Sequence, residues 1–253
     1  MQAIIYVAHG TRIQEGNKEA EAFVQRAIKR VDCSIQKIAF LEIAKPSIEQ
    51  IVAECVREGV TNIVIVPLLL FKAQHLKEDI PSIIGTCQKV YPHVTFTIGR
   101  EFGIDRRLIT QVNERLTESG ENVTSHSEIL LIGRGSSDEA AIKAFREVAT
   151  RLKLYYGFRK VYVRFLYGNG PKFEDFFEEQ HEQVFVVPYL LFQGRLRNHI
   201  EQTIAQNKEH NMVVCNSLGY SDKVLEVLVE RTQCAQSRAL NRQNEVANYG
   251  ISS

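Results

Sequence analysis

Short apolar runs alternate along this chain with longer stretches in which apolar residues recur every three or four positions. The runs Ala3–Ala8, Gln36–Leu41, Asn62–Pro67 and Thr95–Gly99 read as strands, since most are rich in Val and Ile and too short for a buried helix. Helical periodicity fills the gaps near Glu15–Arg30, Ser47–Glu58, Glu78–Tyr91 and Arg106–Glu118. The same order then returns. Strands are expected at Glu128–Gly133, Lys160–Leu166, Val184–Pro188 and Val213–Ser217, with helices near Glu139–Leu152, Lys172–Glu179, Arg197–Lys208 and Asp222–Gln233. Runs such as ILLI and FVVP have no polar face. They suit strands covered by helices on both sides, as in parallel sheets. An α/β fold follows.

The second half also repeats the first in detail. IIYVAHGTR (4–12) returns as ILLIGRGSS (129–137), FLEIAKPSIE (40–49) as FLYGNGPKFE (165–174), and VPLLLF (66–71) as VPYLLF (187–192). His9 falls on Arg134 and Glu42 on Tyr167, both 125 positions on, and after a shortened loop His75 falls on Arg195. A repeat of this size means two domains, not a solenoid. The expectation is two similar domains, each a mainly parallel sheet flanked by helices, with the active site in a cleft between them. The first spans 1–120 and the second 121–233, joined through the polar stretch Glu118–Ser127. Residues 234–253 form a polar tail, read as a mobile end or a short helix.

The copies differ where chemistry belongs. Ligands bind beyond the carboxyl ends of the strands in open α/β sheets. His9 ends the first strand, Glu42 follows the second, and His75 follows the third, so one rim collects all three. Two imidazoles and a carboxylate suit a divalent first-row metal and leave coordination positions open. Either histidine alone would more often be a cap or a loop hydrogen bond.

On the matching rim lie Arg134, Tyr167 and Arg195. Arg12, Lys72 and Arg197 are expected in the same cleft, although for Arg197 alone an ordinary surface role is the better reading. Guanidinium groups hold carboxylates bidentately, so a polycarboxylate substrate is indicated. GRGSSD (133–138) could cradle an anion with backbone N–H groups. It lacks the Gly-Lys-Ser/Thr of a P-loop and the full dinucleotide fingerprint, which argues against ATP or NAD. Ser136 and Ser137 either orient substrate or cap the next helix.

Bulk properties narrow the classes further. A net charge of +1 gives no field for nucleic acid or acidic membrane. No apolar stretch is long enough for a membrane span, and the N-terminal residues lack the basic start of a secretory signal. Five widely spaced cysteines without a C-x-x-C read as reduced thiols. A cytoplasmic, monomeric protein with no resident prosthetic group is expected.

The runs VAHGTR, FLEIAKPSIE and VPLLLFKAQHLKEDIP, followed by GRGSSD and VPYLLFQGRL, resemble the sirohydrochlorin chelatases of the class II chelatase family. The resemblance extends from about Gln2 to Gln233 and fits the long two-domain bacterial form, its iron-directed members in particular. It implies the chelatase fold and ATP-independent insertion of Fe²⁺ into sirohydrochlorin, giving sirohaem. It implies that His9 and His75 bind metal and accept protons, with Glu42 as their acidic partner. Arg12, Arg134, Ser136, Ser137, Arg195 and Arg197 would then bind the substrate. Cobalt-directed members often carry a His-rich segment or a cysteine motif near the C-terminus, and neither is present, which favours iron over Co²⁺ or Ni²⁺. The alternatives are cobalt insertion for cobalamin synthesis and, in another class, a carrier of tetrapyrrole or metal without turnover. A sugar- or amino-acid-binding protein is a weaker option.

Overall fold

The computed structural model describes residues 1–249 except Ala73, Glu179, Phe192, Gln193 and Glu209, and for His75 and 243–249 the backbone alone. The chain forms two four-stranded sheets, every pairing parallel. In the first, β1 (Gln2–Ala8), β2 (Ile35–Phe40), β3 (Asn62–Pro67) and β4 (Thr95–Ile98) lie in the order β2-β1-β3-β4. In the second, β5 (Glu128–Gly133), β6 (Lys160–Phe165), β7 (Val184–Pro188) and β8 (Met212–Val214) lie in the order β6-β5-β7-β8. The helices are α1 (Gln14–Ile28), α2 (Ile48–Arg57), α3 (Ile80–Val90), α4 (Arg106–Thr117), α5 (Glu139–Tyr156), α6 (Arg195–Gln206) and α7 (Asp222–Tyr249).

Burial explains the strand patterns. The central strands β3, β5 and β7 are buried at every residue, and β1 at all but its first. In the first sheet Ala3, Ile5 and Val7 meet Ile63 and Ile65 beneath α2 and α3. The alternate residues Ile4, Tyr6 and Ala8 face the other way. Tyr6 there meets Thr232, which places α7 over that face. In the second sheet Leu130, Ile132, Val184 and Val186 pack with Phe173, Phe176 and Ile200.

Two compact units result: residues 1–102 with 225–253, and residues 103–224. These differ from the sequence division at 120 and 233. The last helix of each copy is exchanged. α4 packs on α5 and β7 of the second unit. Beyond its first residues α7 belongs to the first unit, where Arg231 donates to the carbonyls of Glu101 and Phe102 (3.2 and 2.9 Å). The expected tail beyond 233 is a continuation of α7. Ala235 and Ala239, one turn apart, are buried, and Gln236 donates to the Asp32 carbonyl (2.8 Å).

One other element departs from expectation. The stretch 172–178 is not an α-helix but holds a 3₁₀ turn, Glu174–Glu178, and Glu179 lies outside the described residues. In the first copy Ser47 and Gln50 close a capping box that starts α2. Lys172 stands at the matching position and offers no acceptor for it.

At the amino ends of β5 and β6 the second unit holds a buried acid. Glu128 accepts from Lys160 and pairs with His181 Nδ1 (2.8 Å), whose side chain is 3% exposed and stacks on Phe176. Burial pushes the Glu128 carboxyl up, yet the hydrogen bonds from Lys160 and His181 outweigh it and hold the carboxyl below its ordinary value. A depressed folded value means the contribution is present in full at neutral pH. It is lost as pH falls through the folded value. Glu128→Gln is expected to cost about 1–2 kcal/mol at pH 7 and clearly less near pH 3, measured by urea unfolding at both pH values.

Candidate active site

Both sheets continue past their strand ends for two residues, and this extension builds the rims. Leu41 N–H donates to the Ala8 carbonyl (2.9 Å) and Glu42 N–H to the His9 carbonyl (3.0 Å). His9 and Glu42 are therefore neighbours on one ladder, at the carboxyl ends of β1 and β2. Gly10, at φ +88°, lets the two loops touch: a Cβ there would lie 2.0 Å from the Glu42 carbonyl oxygen. Beyond it, Asn17 fixes the loop by accepting from Thr11 N–H (2.9 Å) and donating to the Thr11 carbonyl (2.8 Å).

The second unit repeats the two ladder bonds, although Ile142 stands where Asn17 does. Leu166 N–H donates to Gly133 and Tyr167 N–H to Arg134 (3.1 and 2.9 Å). Gly135, at φ +92°, sits so close that a Cβ would lie 1.8 Å from the Tyr167 carbonyl oxygen. Thr11 Oγ1 accepts from Ile13 N–H (3.2 Å), and Ser136 Oγ accepts from Asp138 N–H (3.0 Å), again 125 positions on. The helix cap that follows is Asp138, which accepts from Ala140 N–H (2.9 Å), rather than either serine. Ser137 is exposed beside it, and its carbonyl accepts from Asn169 (3.4 Å). A depression lined by Lys143, Arg146, Asn169 and Gly170 adjoins this loop.

The third position comes after β3 and β7. His75 opens a π-turn, His75–Asp79, that leads into α3; Arg195 opens α6 at the matching point. The side chain of His75 lies outside the described residues. Arg12, Lys72, Arg134 and Arg195 are exposed, and among the described residues none has an acidic partner. Arg197 differs: it is 18% exposed, and its Nε donates to Glu201 (2.8 Å) one turn along α6. Its Nε is committed to the helix, while Nη1 is buried without a hydrogen-bond partner among the described residues.

Cysteine offers no ready metal ligand among the buried thiols. Cys55, Cys87 and Cys215 are buried free thiols, and burial pushes Cys55 up to about 11 and Cys215 to about 12, which disfavours thiolate. Among the described residues no three His, Cys, Asp or Glu side chains group closely enough to hold an ion. With His75 outside them, His9 and Glu42 are the described part of the expected set.

Sequence reading missed one rim residue. Ile43, beside Glu42, has φ +62° and is 61% exposed. A β-branched side chain in left-handed backbone costs on the order of 1–3 kcal/mol. The repeat carried a signal for it, because its counterpart is Gly168, at φ +72°.

Comparison with known proteins follows the same twofold pattern. The CbiX family model matches residues 3–119 and again residues 128–235. A sirohydrochlorin ferrochelatase of Priestia megaterium is 38% identical over 98% of this chain and 96% of its own length. A sirohydrochlorin cobaltochelatase of the same organism is 29% identical over 92% of this chain and 79% of its own. The structure of SirB from Bacillus subtilis with Fe³⁺ matches with a TM-score of 0.86 at 34% identity, covering 96% of this chain and 97% of that one.

Proposed function

This chain belongs to the CbiX family, and on that premise we propose that it inserts Fe²⁺ into sirohydrochlorin without ATP, forming sirohaem. The observation that carries the reading is the full-length likeness to an iron-directed chelatase, combined with a first rim bearing His9 and Glu42 on adjacent ladder positions. The greater likeness to the iron enzyme than to the cobalt enzyme of one organism favours Fe²⁺. Both metal and tetrapyrrole are substrates.

Two pyrrole protons must leave as one Fe²⁺ enters, so the ring's charge is unchanged by the exchange. His9 and His75 hold the ion, leaving sites open for the incoming nitrogens. An imidazole whose ordinary pKa lies near neutrality can accept a ring proton and release it to water. Glu42, at the neighbouring strand end, offsets the positive charge that builds on the first rim. Arg134 and Arg195, with Arg12 and Ser137, hold the peripheral carboxylates. Holding the ring in place supplies much of the rate. Arg197 contributes less, given its bond to Glu201.

The test is to mix the protein anaerobically with sirohydrochlorin and Fe²⁺ and follow the absorption spectrum. Many turnovers per chain establish a catalyst; a change that stops at one equivalent would identify a carrier. Co²⁺ in a parallel cuvette decides the cobalt alternative. In the same assay Arg134→Ala is expected to raise KM for sirohydrochlorin about tenfold with kcat nearly unchanged, the loss of one charged hydrogen-bond partner.

A further inference from the structure

Ile43 is, among the described residues, the one non-glycine residue in left-handed backbone. Nothing in folding accounts for its side chain there. It is 61% exposed and is absent from the apolar cluster under α2 and α3. The repeat supplies an internal control. Phe40 N–H donates to the Pro46 carbonyl (2.8 Å) and Phe165 N–H to the Pro171 carbonyl (3.0 Å), so the two turns close with the same bond, although Lys45–Pro46 is cis and Gly170–Pro171 is not. In the second, the position of Ile43 is glycine. The turn therefore accepts glycine, the residue its backbone favours, yet the first copy carries a branched apolar group beside Glu42. Tyr167, 53% exposed, stands one position earlier in the second turn. Each rim thus presents a large exposed apolar side chain at its second strand end.

The geometry points to Ile43 as an apolar contact for the conjugated face of a tetrapyrrole, setting the macrocycle's height above the metal-binding rim. This rests on the substrate proposed above. Carboxylates at the ring's edge are matched by arginines, whereas its flat face offers only apolar surface, which a side chain such as Ile43 covers with loss of water.

The test is direct binding of metal-free sirohydrochlorin, titrated by absorbance against wild type, Ile43→Gly and Ile43→Asn. Both replacements suit left-handed backbone. Both are expected to weaken binding about fivefold and, by relieving the left-handed strain, not to lower the melting temperature. Co²⁺ affinity without tetrapyrrole should not move. Ile43→Val should fall between them and wild type. Unchanged sirohydrochlorin binding in both variants overturns the inference. So does a parallel loss of Co²⁺ affinity, since that marks collapse of the turn. Wild type that binds sirohydrochlorin without inserting metal would remove the enzymatic reading and leave this contact standing; wild type that binds none removes both.

Discussion

His9→Ala is expected to slow Fe²⁺ insertion about 10²–10³-fold, the usual worth of a positioned base or ligand, while changing stability by less than about 1 kcal/mol. The residue lies past the end of β1, where the ladder is already complete through Ala8. Removing its ring therefore takes away chemistry and leaves the sheet. Sirohydrochlorin binding should remain within about twofold of wild type, because the carboxylate contacts are assigned to Arg12, Arg134, Arg195 and Ser137 rather than to His9. Anaerobic single-turnover absorption changes give the rate, and a metal-free titration gives the binding. Insertion at the wild-type rate would remove His9 from the mechanism.

Gly10→Ala should do more damage than any single rim side chain. Its Cβ would lie 2.0 Å from the Glu42 carbonyl oxygen, a backbone atom that cannot rotate aside, at a φ of +88° that alanine resists. The loops must part, which breaks the Glu42 N–H bond to His9 and separates the two residues of the candidate site. The expected cost is about 3 kcal/mol, or roughly 9 °C in melting temperature, with insertion lost along with it. Gly59→Ala is the control. Its φ is +83°, but its nearest neighbour is Met1 Cε at 3.9 Å, so it should show the backbone penalty of about 1 kcal/mol alone. Equal effects at the two positions would mean that close approach of the loops is unimportant.

The strands were legible because a fully buried parallel strand writes itself as an unbroken apolar run. Every expected strand is present, with β1, β4 and β6 off by a single residue at one end and β2 shifted by one residue. β8 ends three residues early, since Cys215–Ser217 turn away after the single bond from Cys215 N–H to Val186. The placement of the candidate residues was legible for a related reason: parallel topology sends the carboxyl end of every strand to one edge, so His9 and Glu42 were put at adjacent strand ends by counting. What escaped was set by tertiary context. The sequence of α4 is amphipathic, but nothing in it states which sheet it covers. The tail beyond 233 has few large apolar residues, and only Ala235 and Ala239, spaced one turn apart, hinted at a buried edge. The strain at Ile43 is invisible in a single copy and becomes readable only when Gly168 is set beside it.

The exchange of α4 and α7 bears on how such a chain could arise. A half-length polypeptide of this design would have a closing helix to give and none to receive, leaving an apolar sheet face bare to water. Two identical halves could satisfy one another reciprocally, at the cost of depending on concentration. Tethering them head to tail makes that mutual cover intramolecular. Each half is then free to diverge, and the divergence is written in the rims: imidazole and carboxylate on one, guanidinium and phenol on the other.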